Sequence, residues 1–321
     1  MNPQMYPEQW HTHSFRAMGC QMAVWLELDN ENKAIALLKE AEAIFRRAES
    51  RLSRFDASSE LSQLNARPGA WTLVSEIMWA VVTRALFMAR ETAGLFDPTQ
   101  LVALEAAGYT RSFELMGSNG AAGAETAVRQ YGQWQTVQLN AEEQAIWLPP
   151  GVKLDLGGIA KGYTAQRVID FLSDWGACLV DAGGDLTAGA APDGWPGWPV
   201  AVATPFNGLG AERADLFHLW LVDGTMATSG VDYRRWQHNG RSAHHLIDPR
   251  TGLPAATDLL TTTVLAKTAV RAEAWATAAL VAGMSLAQQN LAAKNLAAAL
   301  IDQLGNLILT PALSPFLAAT A

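Results

Sequence analysis

Residues 153–167, KLDLGGIAKGYTAQR, bring a carboxylate, two glycines and a lysine close together. Gly157 and Gly158 have no Cβ, so the backbone there can take positive φ and approach a ligand closely. A helix starting just after them would present free N–H groups and the positive end of its dipole to an anion. Lys161 would add a positive charge one turn in, and Asp155 an oxygen for a metal or a base edge. These are the parts of a phosphate site, although neither G-x-x-x-x-G-K-[ST] nor G-x-G-x-x-G fits. A strand–turn–helix corner with a surface lysine has the same pattern, with Val152 and Leu154 alternating on a half-buried strand. This stretch alone leaves both readings open.

Three further groups carry chemistry. His245 stands in H-L-I-D-P-R-T-G-L-P, residues 245–254. An imidazole of near-neutral pKa is suited to take a proton from a hydroxyl; a histidine pair in a loop is also ordinary surface polarity. Asp248, before Pro249 and Gly252, suits an Asx-capped turn. Glu273 and Thr277 lie four apart on a helix expected over 269–283, so they share a face. D-A-G-G-D at 181–185 reads mainly as a structural turn near the site.

The elements that must position these groups follow from periodicity. A loose polar arm is expected over 1–14 and a strand from Phe15, with Met22, Val24, Leu26 and Leu28 alternating. A strong amphipathic helix over 30–52 has Ile35, Leu38, Ala41, Phe45, Ala48 and Leu52 on one stripe. A short helix capped by Ser58 or Ser59 ends near Asn65, and a long one covers 75–92, stopped by Gly94. A small-residue loop at 117–127 would divide one domain, 15–321, into two subdomains. Hairpins are expected around 140–144 and at Asn239–Gly240, with a final one over 297–310. The mixture of helices and antiparallel ribbons predicts an α+β fold, not regular βαβ alternation.

The chain has 321 residues, half of them hydrophobic, enough for a substantial core. A net charge of −8 excludes a general nucleic-acid or anionic-membrane binder. No apolar run of about 18 residues occurs, so no membrane span is expected. The N-terminus lacks the basic and apolar regions of a secretory signal, so a cytoplasmic location is expected, or a periplasmic one if an export segment was removed. Cys20 and Cys178 lack metal-ligand spacing and read as small buried residues.

Taken together and in order, these segments resemble the FAD:protein FMN transferases, the ApbE family. The matching segments are M-G at 18–19, S-R-F-D-x-S-S-E-L-S-x-L-N at 53–65, F-D-P-T at 96–99 and D-L-G-G-I-A-K-G-Y at 155–163. D-A-G-G-D at 181–185, A-T-S-G at 227–230, the 245–254 segment and E-A-W-A-T at 273–277 complete the set. The resemblance implies an ApbE-like, T-fold-related architecture with mixed or antiparallel sheets, packed helices and an active site between two lobes. It implies magnesium- or manganese-dependent transfer of FMN from FAD to a Thr or Ser hydroxyl of an acceptor flavoprotein, with release of AMP.

By the same resemblance, Met18, Phe55, Leu95, Phe96, Asp97, Asp155, Lys161 and Ile247 would line the FAD site. The metal would take the backbone oxygen of Gly158 and the side chains of Glu273 and Thr277. His245, Asp248 and Lys161 would serve the reacting phosphate. Magnesium and a lysine would offset the pyrophosphate's charge, which otherwise repels an attacking oxygen. The chain departs from the family at several points: Glu273 stands where Asp is usual, Cys20 for Thr, Gln166 for Asp and Phe55 for Tyr. The alternatives are an FAD-binding protein without turnover and an FAD pyrophosphatase in which water replaces the hydroxyl.

Overall fold

A computed structural model describes residues 9–116, 131–206 and 214–318. Strand β1 (Trp10–Ala17) returns as β2 (Cys20–Glu27) through Met18 and Gly19, both at positive φ. β1 begins inside the segment expected to be a loose arm. Trp10 is buried against the rings of Trp195 and Trp198, and this apolar anchor draws residues 10–14 into the sheet.

Helix α1 (Glu31–Leu52) starts at Asn30, whose side chain accepts from the Lys33 N–H. It buries Leu37, Leu38, Ala41, Phe45 and Ala48; Ile35, expected on that stripe, is exposed. α2 (Glu60–Asn65) is capped by Ser59; β3 (Trp71–Leu73) follows, and α3 (Glu76–Glu91) is capped by Ser75. The chain leaves α3 through Gly94 at φ +80°. α4 (Leu101–Ala106), whose four-residue apolar spacing is too short to announce itself, was not expected. The loop expected at 117–127 lies outside the described residues. β4 (Gln138–Asn140) and β5 (Ala145–Trp147) form the expected hairpin, joined at its other side by β3.

No strand precedes α5 (Ala160–Leu172). The Leu154 N–H and C=O both bond the buried side chain of Asn65, at 2.8 and 2.9 Å, and the Asp155 N–H donates to the Pro98 carbonyl at 2.8 Å. Side-chain and loop partners thus take the groups a ladder would use. The elements that follow are β6 (Cys178–Ala182), β7 (Leu186–Ala188), β8 (Trp198–Ala203), β9 (Asp215–Leu221), β10 (Gly224–Gly230), β11 (Arg235–His238) and β12 (Arg241–His244). The rest are β13 (Ile247–Asp248), β14 (Leu253–Pro254), β15 (Leu259–Ala266), α6 (Ala269–Ala282), α7 (Met284–Ala293), β16 (Ala297–Asp302) and β17 (Leu307–Leu309).

Eight strands form one sheet in the order β1-β2-β6-β7-β10-β15-β16-β17, each neighbouring pair antiparallel. Alternation sends side chains to opposite faces. Ala298 and Leu300 of β16 meet the helices; Ala297 and Ala299 meet the β8–β9 ribbon with Trp198 and Leu219. α5 and α6 lie side by side on the helical face, α5 on β6 and α6 on β10 and β15. The α+β expectation with large antiparallel pairing therefore holds. Both cysteines are free and buried, and no helix among the described residues is long and apolar enough to cross a membrane.

Candidate functional site

The contact between α5 and α6 builds the first part of the site. α6 is rich in alanine and buried nearly all round, so it can approach its neighbours closely. Gly162 lets it do so at α5: a Cβ there would lie 2.6 Å from Glu273 Oε2 and 3.0 Å from the Ala269 Cβ. Glu273 is only 4% exposed, and a buried carboxylate needs partners. The Gly162 N–H donates to Oε2 at 3.1 Å and Lys161 Nζ to Oε1 at 3.2 Å. Asp185 Oδ2 lies 3.4 Å from the same Nζ. Burial alone would depress the Lys161 ammonium, but the Glu273 and Asp185 carboxylates outweigh it and hold its pKa above the ordinary lysine value. Burial pushes the Glu273 carboxyl up to about 7, against the pull of Lys161.

The first turn of α5 thus has an anion already, and it is Glu273. The N–H groups of Ile159 and Ala160 bond the Leu156 carbonyl, at 3.1 and 2.8 Å. Gly157 and Gly158 are not at positive φ. Their lack of a Cβ serves close packing instead, 3.1 Å from Asp155 Oδ1 and 3.3 Å from the Phe96 ring respectively. The left-handed glycines are Gly183 and Gly184, at φ +75° and +98°. In that turn Asp181 accepts from the Gly184 N–H at 2.7 Å, and burial pushes its carboxyl up. Asp185 is more than a turn residue, since it reaches Lys161 and also accepts from the Thr228 N–H at 2.9 Å. Thr277, one turn along α6 from Glu273, meets the Ser229 hydroxyl of β10 at 3.1 Å.

A second part comes from the arm around β11 and β12. Burial, then the positive charges of Arg234, His244 and Lys161, push the His245 pKa well below the ordinary value, while a hydrogen bond at the Arg234 backbone pulls the other way. His245 is therefore neutral near pH 7, and its Nδ1 has no hydrogen-bond partner. Arg234 Nη2 donates to the Cys20 thiol at 3.1 Å. Asp248 is placed elsewhere. Its two oxygens accept from Arg250 Nε and Nη2 at 2.9 Å each, and Arg250 Nη2 also donates to the Val281 carbonyl at 3.1 Å. Asp248 thereby pins the loop carrying His245 onto the end of α6, and the Asx turn expected there is formed, with the Arg250 N–H on Oδ1 at 2.9 Å.

A third part surrounds Asp155. It accepts from the Gly157 N–H at 2.9 Å and from Arg54 Nε at 2.6 Å, an ion pair with Arg54 only 6% exposed. The Arg54 guanidinium lies over the rings of Phe55 and Tyr109, 4.1 and 4.5 Å from their centroids. Phe55 keeps an exposed face, as a stacking surface requires. Asp97 is held within its own turn by the Thr99 N–H and hydroxyl and by Gln100, while burial pushes its pKa up. Leu95 and Phe96 belong to the main core, which also takes Met18 at its edge. Ile247 fills a small core with Ala103, Leu104 and Ala107.

Lys161, Glu273, Thr277 and His245 are thus brought to one region, with Asp155 and Phe55 beside it, whereas Asp248 pairs with Arg250 and Leu95 and Ile247 fill cores. Sequence reasoning missed Arg54, Asp185 as an ion-pair partner, and Arg234. Arg54 lay inside a quoted segment, and its basic charge among small polar residues was the available signal. Arg234 carried none beyond being one of two adjacent arginines. Among the described residues no three His, Cys, Asp or Glu side chains group as metal ligands. A hard cation would have to draw on the Glu273 carboxylate, the Thr277 hydroxyl and the Gly158 carbonyl. Those are oxygen donors of the right kind, and the two carboxylates around Lys161 leave negative charge in surplus, so the donor set fits magnesium or manganese.

Comparison with known proteins bears on the family and the fold. The model of the ApbE family matches residues 18–301. The FAD:protein FMN transferase of Treponema pallidum is 31% identical over 77% of this chain and 72% of its own length. That of Haemophilus influenzae is 30% identical over 87% and 82%. The crystal structure of the ApbE protein of Thermotoga maritima superposes with a TM-score of 0.86 at 25% identity, covering 96% of this chain and 99% of that one. The flavinyl transferase ApbE of Pseudomonas stutzeri shares the fold at a TM-score of 0.81 and 23% identity, covering 99% of each chain.

Proposed function

The chain belongs to the ApbE family, and from that premise we propose that it transfers FMN from FAD to a Thr or Ser hydroxyl of an acceptor protein. The observation that carries this reading is His245, a half-buried imidazole with an unpartnered Nδ1, kept neutral beside a compact cluster of charge. In the step proposed, the acceptor hydroxyl oxygen attacks the phosphorus of the FMN half. A new P–O bond forms, the bridging P–O bond breaks, and AMP leaves. The hydroxyl proton passes to His245, whose Nδ1 is the nitrogen without a partner. A general base of this kind contributes about 10²–10⁴-fold. Phe55 offers a ring to a flat base or flavin, and Asp155, fixed by Arg54 and Gly157, an acceptor edge.

Glu273, Thr277 and the Gly158 carbonyl would hold a magnesium or manganese ion, which supplies charge neutralisation at the pyrophosphate. Glu273 is a methylene longer than the aspartate usual in the family. The Gly162 N–H and Lys161 fix it at the α5–α6 contact, so Lys161 orients a ligand-bearing carboxylate. The test is incubation with FAD, a divalent cation and an acceptor peptide containing Thr or Ser. The expected result is a peptide heavier by one FMN phosphoester and an equal yield of AMP. Free FMN and AMP with an unmodified peptide would make the protein a hydrolase, and unconsumed FAD would make it a binder without turnover.

A further inference from the structure

Lys161 and Arg234 both carry positive charge to the site, and their surroundings differ. Lys161 Nζ lies 3.2 Å from Glu273 and 3.4 Å from Asp185, both nearly buried, so its charge is spent inside the protein. At the start of α5 the N–H groups of Ile159 and Ala160 are met by Leu156, and that of Gly162 by Glu273. Lys161 could turn fully to a pyrophosphate only by stripping buried carboxylates of their counter-charge. Arg234 is the opposite case. It is half-buried, and among the described residues it has no carboxylate within ion-pair distance. Among the described residues its side chain donates to the Cys20 thiol at 3.1 Å, a weak acceptor. Its charge reaches His245, Lys161 and Tyr109, which places it where these three meet.

Building on the transferase reading, we propose that Arg234 is a residue that grips the donor's pyrophosphate beside His245. The guanidinium fork matches two phosphate oxygens, and exchanging a thiol for charged oxygens gains charge-assisted hydrogen bonds. Arg234 forms and breaks no covalent bond; it binds the ground state and faces the charge that develops on the phosphoryl oxygens as the acceptor hydroxyl attacks. The position explains why a thiol stands at Cys20: a small, weakly accepting side chain lets the fork go.

The experiment measures FAD affinity by fluorescence titration and then displaces FAD with inorganic pyrophosphate. It is run on the full chain, on Arg234→Met and, as a second variant keeping length and an N–H donor, on Arg234→Gln. FAD affinity should fall by about tenfold or more in both variants, the loss of at least one charge-assisted hydrogen bond. Pyrophosphate should displace FAD from the full chain and lose most of that ability in the variants, a readout that a merely structural arginine would leave unmoved. Melting temperatures should stay close to that of the unaltered protein. Unchanged FAD affinity and unchanged displacement in Arg234→Met or Arg234→Gln would overturn the inference while leaving the transferase reading intact. An unaltered protein that is folded yet binds no FAD would overturn both.

Discussion

The first turn of α5 and the arm that carries Arg234 and His245 both bring positive charge to one region, yet they are built in opposite ways. The α5 side is closed: Lys161, the Gly162 N–H and two carboxylates satisfy one another within 3.4 Å. The arm is open: a guanidinium rests on a thiol and a neutral imidazole has a nitrogen without a partner. A closed cluster resists reorganisation because breaking any pair leaves a buried charge, whereas an open one has bonding capacity for a ligand. The more recognisable motif therefore organises the site, and the less recognisable arm is the part with hydrogen bonds left to give.

This contrast can be broken or sharpened by substitution. The largest effect is expected at His245. His245→Ala should slow FMN transfer by about 10²–10⁴-fold with FAD affinity nearly unchanged, measured as the rate of mass gain on an acceptor peptide. Equal rates would remove the general base from the arm. Next is Lys161→Met, which should cost about 3–5 kcal/mol in chemical denaturation because two buried carboxylates lose their counter-charge. A variant as stable as the unaltered chain, yet deficient in FAD binding, would mean the α5 side is open after all.

A smaller effect is expected at the helix contact. Gly162→Ala drives a methyl group to 2.6 Å from Glu273 Oε2 and 3.0 Å from Ala269, so it should cost about 1–3 kcal/mol and loosen the divalent cation. Thermal melting and manganese titration both report on it. The smallest effect is the pH dependence. The His245 pKa lies well below 6.5, so the rate should hold through neutrality and fall only as pH drops below 6.5 through that lowered value. The linked stability has the matching sign: the unfolded imidazole binds a proton the folded one refuses, so this contribution is full above 6.5 and declines as pH falls. An acid limb above 6.5 would place His245 in a wetter, less cationic setting than the arm provides.

Much of the local structure was written in the sequence. Asn30, Ser59 and Ser75 mark helix starts by side chains that can take the orphan N–H groups, and each does so. The ordered motifs that resemble the ApbE family were legible too, because each is short and contiguous. The site itself was legible in membership more than in arrangement. Lys161, Glu273 and Thr277 could be named, but Glu273 and Lys161 are 112 positions apart, and nothing in either segment says that they neutralise each other.

What the sequence alone determined was therefore the kinds of element, their caps and turns, and a roster of polar residues able to handle phosphate. Tertiary structure decided which of those residues keep capacity to act. Leu154 joins no strand because Asn65, far away in the chain, takes both of its backbone hydrogen bonds. Gly157 and Gly158 serve close packing, whereas Gly183 and Gly184 of the neighbouring D-A-G-G-D turn are at positive φ. Asp248 faces Arg250 and the end of α6. Asn65 and the Val281 carbonyl come from distant segments, whereas Arg250 and Asp155 sit two residues from Asp248 and Gly157. A charge or hydrogen-bonding group is available only after its nearest neighbours in space are counted, and those neighbours are fixed by packing α6 against α5 and the sheet.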